Sequence, residues 1–347
     1  MPHTHHNDIE EKVDDLLRSP LGCAFLAIID ESEIHPAVAA VPEISMQAAA
    51  IAIDETYIWS TIHEEIMEYL PRQRERLEGL ARAILQDPKT DWWFAPLNRQ
   101  SQAWVSGHYA KTLSSEKFVP LSPMRKSPIG DRSSQKVFGG GLYTSTLVKG
   151  ASSWKALLNE DFDSIRSRKG TAPIPHYRLN ACKSAHIYEI RSPLDWHRLC
   201  VNYPAICFRN ANDYGRQLDK IYPLKPTSKG TNEFKLGNWL TPDWHAVTND
   251  YDAIHLTFGG LLTSDKVRVE TDEGWSMNRI WDAEQTLWFR WMFESIERLP
   301  DYAATERPLE LSFPSLLSLN TGATLRCETG PDDRRTPSTL SAQRNKV

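Results

Sequence analysis

The chain has 347 residues, a formal net charge of −5, 40% hydrophobic and 24% charged residues. This is the composition of a globular chain, and it argues against a strongly basic nucleic-acid binder. No apolar run reaches the roughly 20 residues that span a bilayer: residues 21–29 are too few, and 37–53 are interrupted by Pro42, Glu43 and Gln47.

At about 150 residues per domain the length predicts about two domains. Residues 8–88 read as helical. Asp8 can cap a helix through Ile9, Val13, Leu16 and Leu17, which follow the helical period. Residues 21–29 and the alanine-rich 45–53 fit buried helices. Ile58, Ile62, Ile66 and Leu70 recur every four residues, and Pro71 is expected to end that helix. Leu77, Leu80 and Ile84 share one face of the next.

Composition changes at Asp87-Pro88. Eleven of twelve tryptophans lie between Trp92 and Trp291, with only Trp59 outside. Strands are expected at 141–147, 186–190, 206–209, 253–258 and 286–291, with helices at 153–158 and 194–201. Strands and helices alternate without a βαβ rhythm, so an α+β fold is expected rather than a doubly wound parallel sheet. The expected organisation is an N-terminal helical subdomain (1–88), then an aromatic-rich α+β domain with a mixed, mainly antiparallel sheet (89–318), then a disordered tail (319–347). Residues 111–136 and 210–238 read as long loops.

The five cysteines are odd in number, widely spaced and without a C-x-x-C, which excludes a disulfide framework. No signal peptide is visible at the start. A cytoplasmic location with reduced thiols is expected, with no membrane partner. P-loop, Rossmann, G-x-S-x-G and H-E-x-x-H motifs are absent, and no metal site is expected.

Five segments can carry chemistry. Gly139-Gly140-Gly141 precedes Leu142-Tyr143-Thr144-Ser145-Thr146, and Ser152-Ser153-Trp154 follows. It is either a close backbone approach to a ligand or a Gly-rich turn entering an ordinary strand. Glu189 sits in an apolar strand. Pointing inward it needs a partner; pointing outward it is a carboxylate on a half-exposed strand. His255 and Thr257 share one strand face, opposite Ile254 and Leu256. His255 is a site residue or a satisfied structural histidine. Asp282 and Glu284 offer carboxylates for a site, a loop or a cap. Arg99 and Gln102 can bind an anion or amide, beside aromatics at 92–94 and 104 that suit packing between the two regions.

The segments at 92–97, 143–146, 195–196, 242–257 and 281–282 resemble those of a group of actinobacterial proteins with no assigned activity, over about residues 15–295. Separately, Gly140-Gly141-Leu142-Tyr143 followed by Ser152-Ser153 resembles the NAD-binding strand of ADP-ribosyltransferases of the poly(ADP-ribose) polymerase type. Thr144-Ser145-Thr146 is similar to the Ser-Thr-Ser strand of the toxin-type branch. That resemblance implies NAD as substrate, with Gly141, Tyr143, Ser145, Trp154 and Arg99 at its pocket. It also implies a late catalytic glutamate, Glu284 or, by order less well, Glu189. The early family signature has no clear counterpart: Arg99, His108 and Arg125 are candidates. The toxin-type pair of acidic or amide residues is absent, with Asp282 two positions before Glu284.

Three functions follow from these readings. The first is an NAD-dependent ADP-ribosyltransferase-like enzyme whose acceptor is a protein or small molecule. The second is a non-catalytic binding protein with exposed tryptophans as anchors. The third is a hydrolase or transferase using His255 with a carboxylate.

Overall fold

The computed structural model describes residues 3–55, 62–105, 113–118, 120, 141–160, 174–206, 239–278 and 281–302. The fold is α+β, with N-terminal helices followed by a mixed, mostly antiparallel sheet. Among the described residues five helices come first: α1 (His3–Arg18), α2 (Pro20–Glu31), α3 (Pro36–Ala39), α4 (Pro42–Glu55) and α5 (Ile62–Leu85). Ser19 caps α2 by accepting the Gly22 N–H, and Pro20 occupies its first turn. Residues 20–29 are all buried, as an all-round apolar helix requires.

Pro71 does not end its helix: α5 runs through it to Leu85. Proline removes one backbone bond, but the following stretch carries its own apolar stripe. Leu77, Ala81 and Ile84 are buried on that stripe, and the helix packs on α1 and α2. A 3₁₀ segment, Pro88–Phe94, then inserts Trp93 edge-on against Phe25 of α2.

The main sheet has seven strands: β1 (Gln102–Val105), β2 (Leu142–Thr146), β3 (Ile174–Ala181), β4 (Ile187–Ile190), β7 (Ala253–Leu256), β10 (Gln285–Trp288) and β11 (Phe293–Tyr302). Their spatial order is β11-β3-β1-β2-β10-β7-β4, and among the described residues of this sheet only β4 with β7 is parallel. Two further pairs, β5 (Pro204–Ile206) with β6 (Leu240–Pro242) and β8 (Arg268–Thr271) with β9 (Gly274–Met277), stand apart. The later helices are α6 (Ser153–Glu160), α7 (Pro193–Asn202), α8 (Trp244–Asp250) and α9 (Phe258–Ser264).

The expected strands near 141, 186, 253 and 286 are β2, β4, β7 and β10, each somewhat shorter. Phe258 is not strand. Thr257 accepts the Gly260 N–H at 2.9 Å and caps α9 instead. Glycine is required at 260 because a Cβ there would stand 2.3 Å from the Ile190 carbonyl oxygen.

One hydrophobic core runs from the helices into the sheet, joining Phe25, Ile51 and Leu77 to Ile254, Leu256 and Leu287. A second covers the other sheet face, with Leu179, Trp288 and Phe293. The glycines 139 and 140, residues 207–209, most of 111–136, the stretch 210–238 and the tail from 319 lie outside the described residues. Among those described, no helix is long and apolar enough to cross a membrane, and Cys23, Cys182 and Cys200 are free thiols.

Candidate active site

Strand pairing builds the site. Thr286 of β10 lies opposite Thr144 of β2 on one side and His255 of β7 on the other, and His255 lies opposite Glu189 of β4. Directly opposed residues share a sheet face, so one row carries Thr144, Thr286, His255 and Glu189. The β2–β10 ladder ends at Thr144, and beyond it the Thr146 N–H is taken by the Glu284 carboxylate.

The Glu284 carboxylate accepts the Ser145 hydroxyl at 2.8 Å, and the Thr146 N–H at 3.1 Å to both oxygens. It also stands 3.3 Å from His255 Nε2. The other imidazole nitrogen, Nδ1, lies 2.6 Å from Glu189, whose second oxygen accepts the Leu97 N–H at 3.0 Å.

His255 is 3% exposed. Burial opposes its charged form, but hydrogen bonds and charge from Glu189 and Glu284 outweigh it and raise its pKa to about 9. Each ring nitrogen therefore donates to a carboxylate. For Glu189 burial acts upward, but the hydrogen bond and charge of His255, together with the Leu97 N–H that Glu189 accepts, overcome it and lower the pKa.

A buried polar layer supports this cluster. Thr144 Oγ1 accepts the Trp288 indole N–H at 2.8 Å and donates to Gln102 at 2.6 Å. The Gln102 amide donates to Thr146 Oγ1 at 3.2 Å and to the Asn98 carbonyl at 3.1 Å. Such closure of every polar group rigidifies a site. Over the cluster opens a cavity of about 250 Å³, walled by Trp92, Pro96, Asn98, Thr146, Lys149, His255, Thr257, Phe258 and Glu284.

No family model, curated protein or solved structure matches the chain.

The three catalytic candidates, Glu284, Glu189 and His255, converge, and Ser145 joins them. Of these four only Glu284 and His255 line the cavity, and Ser145 and Glu189 stand behind them; the other NAD-pocket candidates are not in the lining either. Gly141, at φ 80°, opens β2. Tyr143 packs against the main core and Trp154 is half-buried in α6. Arg99 uses its guanidinium to hold the turn after β3, donating to the Cys182 and Ala185 carbonyls, each at 2.9 Å. Trp92 supplies the aromatic wall where the resemblance implied Tyr143. His108 and Arg125 lie outside the described residues.

Trp92 and Lys149 line the cavity without a site signal in the sequence. Gln102, expected as an anion or amide ligand, is instead a buried support for the cluster, a role that pairing across β1 and β2 creates.

A second polar cluster lies between α7 and the β8–β9 hairpin. His197 Nδ1 is 2.9 Å from Ser276 Oγ, and Nε2 is 3.0 Å from Thr271 Oγ1. Thr271 in turn bonds Glu273. Burial holds the His197 pKa below its ordinary value, with Glu273 opposing. Among the described residues no group of three or more His, Cys, Asp or Glu side chains is arranged to hold a metal ion.

Proposed function

We propose that the protein cleaves the nicotinamide–ribose bond of NAD and transfers the ADP-ribosyl group to an acceptor. The observation that carries this reading is the Glu284 carboxylate, fixed by Ser145, Thr146 and His255 in the wall of the cavity. Heterolysis sends the bonding electron pair to the nicotinamide nitrogen and leaves positive charge on the ribose. A preorganised carboxylate beside that carbon stabilises the charge as it develops. Both Glu284 oxygens already accept hydrogen bonds, which suits a fixed charge better than a nucleophile. Trp92 and Phe258 offer apolar walls that exclude water and face a heterocycle. A nucleophilic atom of the acceptor then attacks the ribose carbon and gives up its proton to solvent.

The alternatives are less well supported. A general base needs a free nitrogen lone pair, and both His255 nitrogens face carboxylates. The binding-protein reading needs exposed aromatic anchors. Of the eleven tryptophans with described side chains, six are buried and five half-buried.

The test is chromatographic measurement of nicotinamide released from NAD by the wild type and by Glu284→Gln. Release by the wild type, reduced about 100-fold or more in the variant at unchanged circular dichroism, is the expected result. Absence of both release and any thermal shift with millimolar NAD overturns the reading.

A further inference from the structure

The polar groups deep in the cavity are committed to each other. Thr257 Oγ1 donates to the Ile190 carbonyl at 3.2 Å and accepts the Gly260 N–H. Thr146 Oγ1 accepts from Gln102, and His255 and Glu284 face one another. Three lining donors have no hydrogen-bond partner among the described residues: the buried Trp92 indole N–H, the Lys149 ammonium and the Asn98 side-chain N–H₂. Lys149 and Asn98 are exposed, which puts them at the solvent end of the lining.

Lys149 is held there by its backbone. Val148 and Ala151 exchange both backbone hydrogen bonds, at 2.9 and 3.0 Å. The two residues between them, Lys149 and Gly150, have φ of 51° and 90°. Two-residue hairpin turns of this hand favour Asn or Gly at both positions. A lysine there is uncommon, and such strain clusters where function demands it. The Lys155 ammonium braces the turn by donating to the Gly150 carbonyl at 3.1 Å. In the same lining, Asn98 Oδ1 accepts the Gln100 N–H at 3.2 Å, which orients its amide.

We propose that Lys149 and Asn98 form a phosphate subsite at the cavity mouth, so that the substrate end entering the site is a phosphorylated riboside rather than a nucleoside. This rests on the glycosidic reading above. The carboxylate at the floor suits the ribose carbon that becomes positive. The cation at the rim suits the 5′-phosphate at the other end of the same sugar. An ammonium and an amide N–H are donors for phosphate oxygens and offer nothing to a second cation.

Two experiments separate this subsite from the reaction. In the first, inorganic pyrophosphate is titrated by thermal shift into the wild type, Lys149→Arg and Lys149→Asn. Asparagine tolerates the positive φ and removes the charge together with the reach of the side chain, while Lys149→Arg keeps both. A shift in the first two, lost in Lys149→Asn, is expected. No shift in the wild type, or an equal shift in all three, overturns the subsite.

In the second, nicotinamide release is measured from nicotinamide mononucleotide and nicotinamide riboside. The mononucleotide is expected to have a kcat/KM about tenfold higher or more. Lys149→Asn is expected to raise its KM about tenfold with little change in kcat, leaving the riboside unaffected. Equal use of the two substrates overturns the proposal. If neither releases nicotinamide, the reaction reading fails, and the pyrophosphate titration alone decides the subsite.

Discussion

His255 and His197 are both buried, at 3% and 2% exposure, yet their proton affinities move in opposite directions. His255 lies between two carboxylates and is raised to about 9. His197 lies between two hydroxyls and is lowered. Burial alone pushes an imidazole toward its neutral form, and His197 shows that behaviour. At His255 the charges of Glu189 and Glu284 reverse it. The two clusters also differ in placement. The His255 cluster opens on a cavity, and the His197 cluster joins α7 to a hairpin. A buried histidine therefore marks a site through its partners and its opening.

Breaking the carboxylate pair is the largest expected perturbation. Glu189→Gln leaves an imidazolium with one charged partner and loosens the Leu97 contact. Removing one member of a buried ion pair costs about 3–5 kcal/mol, measurable by urea denaturation. In the same variant the His255 imidazole is expected to titrate closer to its ordinary value, read by NMR. An unchanged titration would show that Glu189 is not what raises it.

The pH dependence sharpens the contrast. His255 has a folded pKa above its unfolded value of 6.5. Its contribution is present in full below about 6.5 and is lost as pH rises through about 9. The size is on the order of 3 kcal/mol. His197 has the opposite sign: its folded pKa is depressed, so its neutral cluster loses stability as pH falls below about 6.5. Thermal melts from pH 5 to about pH 10 should show an alkaline loss that is smaller in His255→Gln and unaltered in His197→Gln. The reverse assignment would refute the comparison.

The smallest effect is expected at the neutral cluster. Thr271→Val removes one hydroxyl from His197 Nε2 and should cost about 1 kcal/mol. A loss as large as that of Glu189→Gln would mean that the two clusters are energetically alike.

The strands legible in the sequence were those around the site. β2, β4 and β7 are apolar or β-branched runs with Gly, Pro or Ser nearby, β10 is an aromatic-flanked run, and the four are adjacent in the sheet. The other half was not legible. β1 reads Gln-Ala-Trp-Val, β3 reads Ile-Pro-His-Tyr-Arg-Leu-Asn-Ala, and β11 is charged and exposed over most of its length. Such strands are specified by their neighbours rather than by a local pattern. Pro71 misled for a related reason, since tertiary packing sustains a helix across one missing hydrogen bond.

By itself the sequence determined the α+β class, the helical start, and the three residue types, Glu189, His255 and Glu284, worth singling out. It could not show that they meet. Ser145 and Glu284 are 139 residues apart, and His255 lies 66 residues from Glu189. Local periodicity reports only which face a side chain takes within its own element. Sheet register across β2, β10, β7 and β4 decided that these faces coincide. The positive φ of Lys149, in a turn closed by its flanking residues, decided what stands at the mouth of the cavity they share.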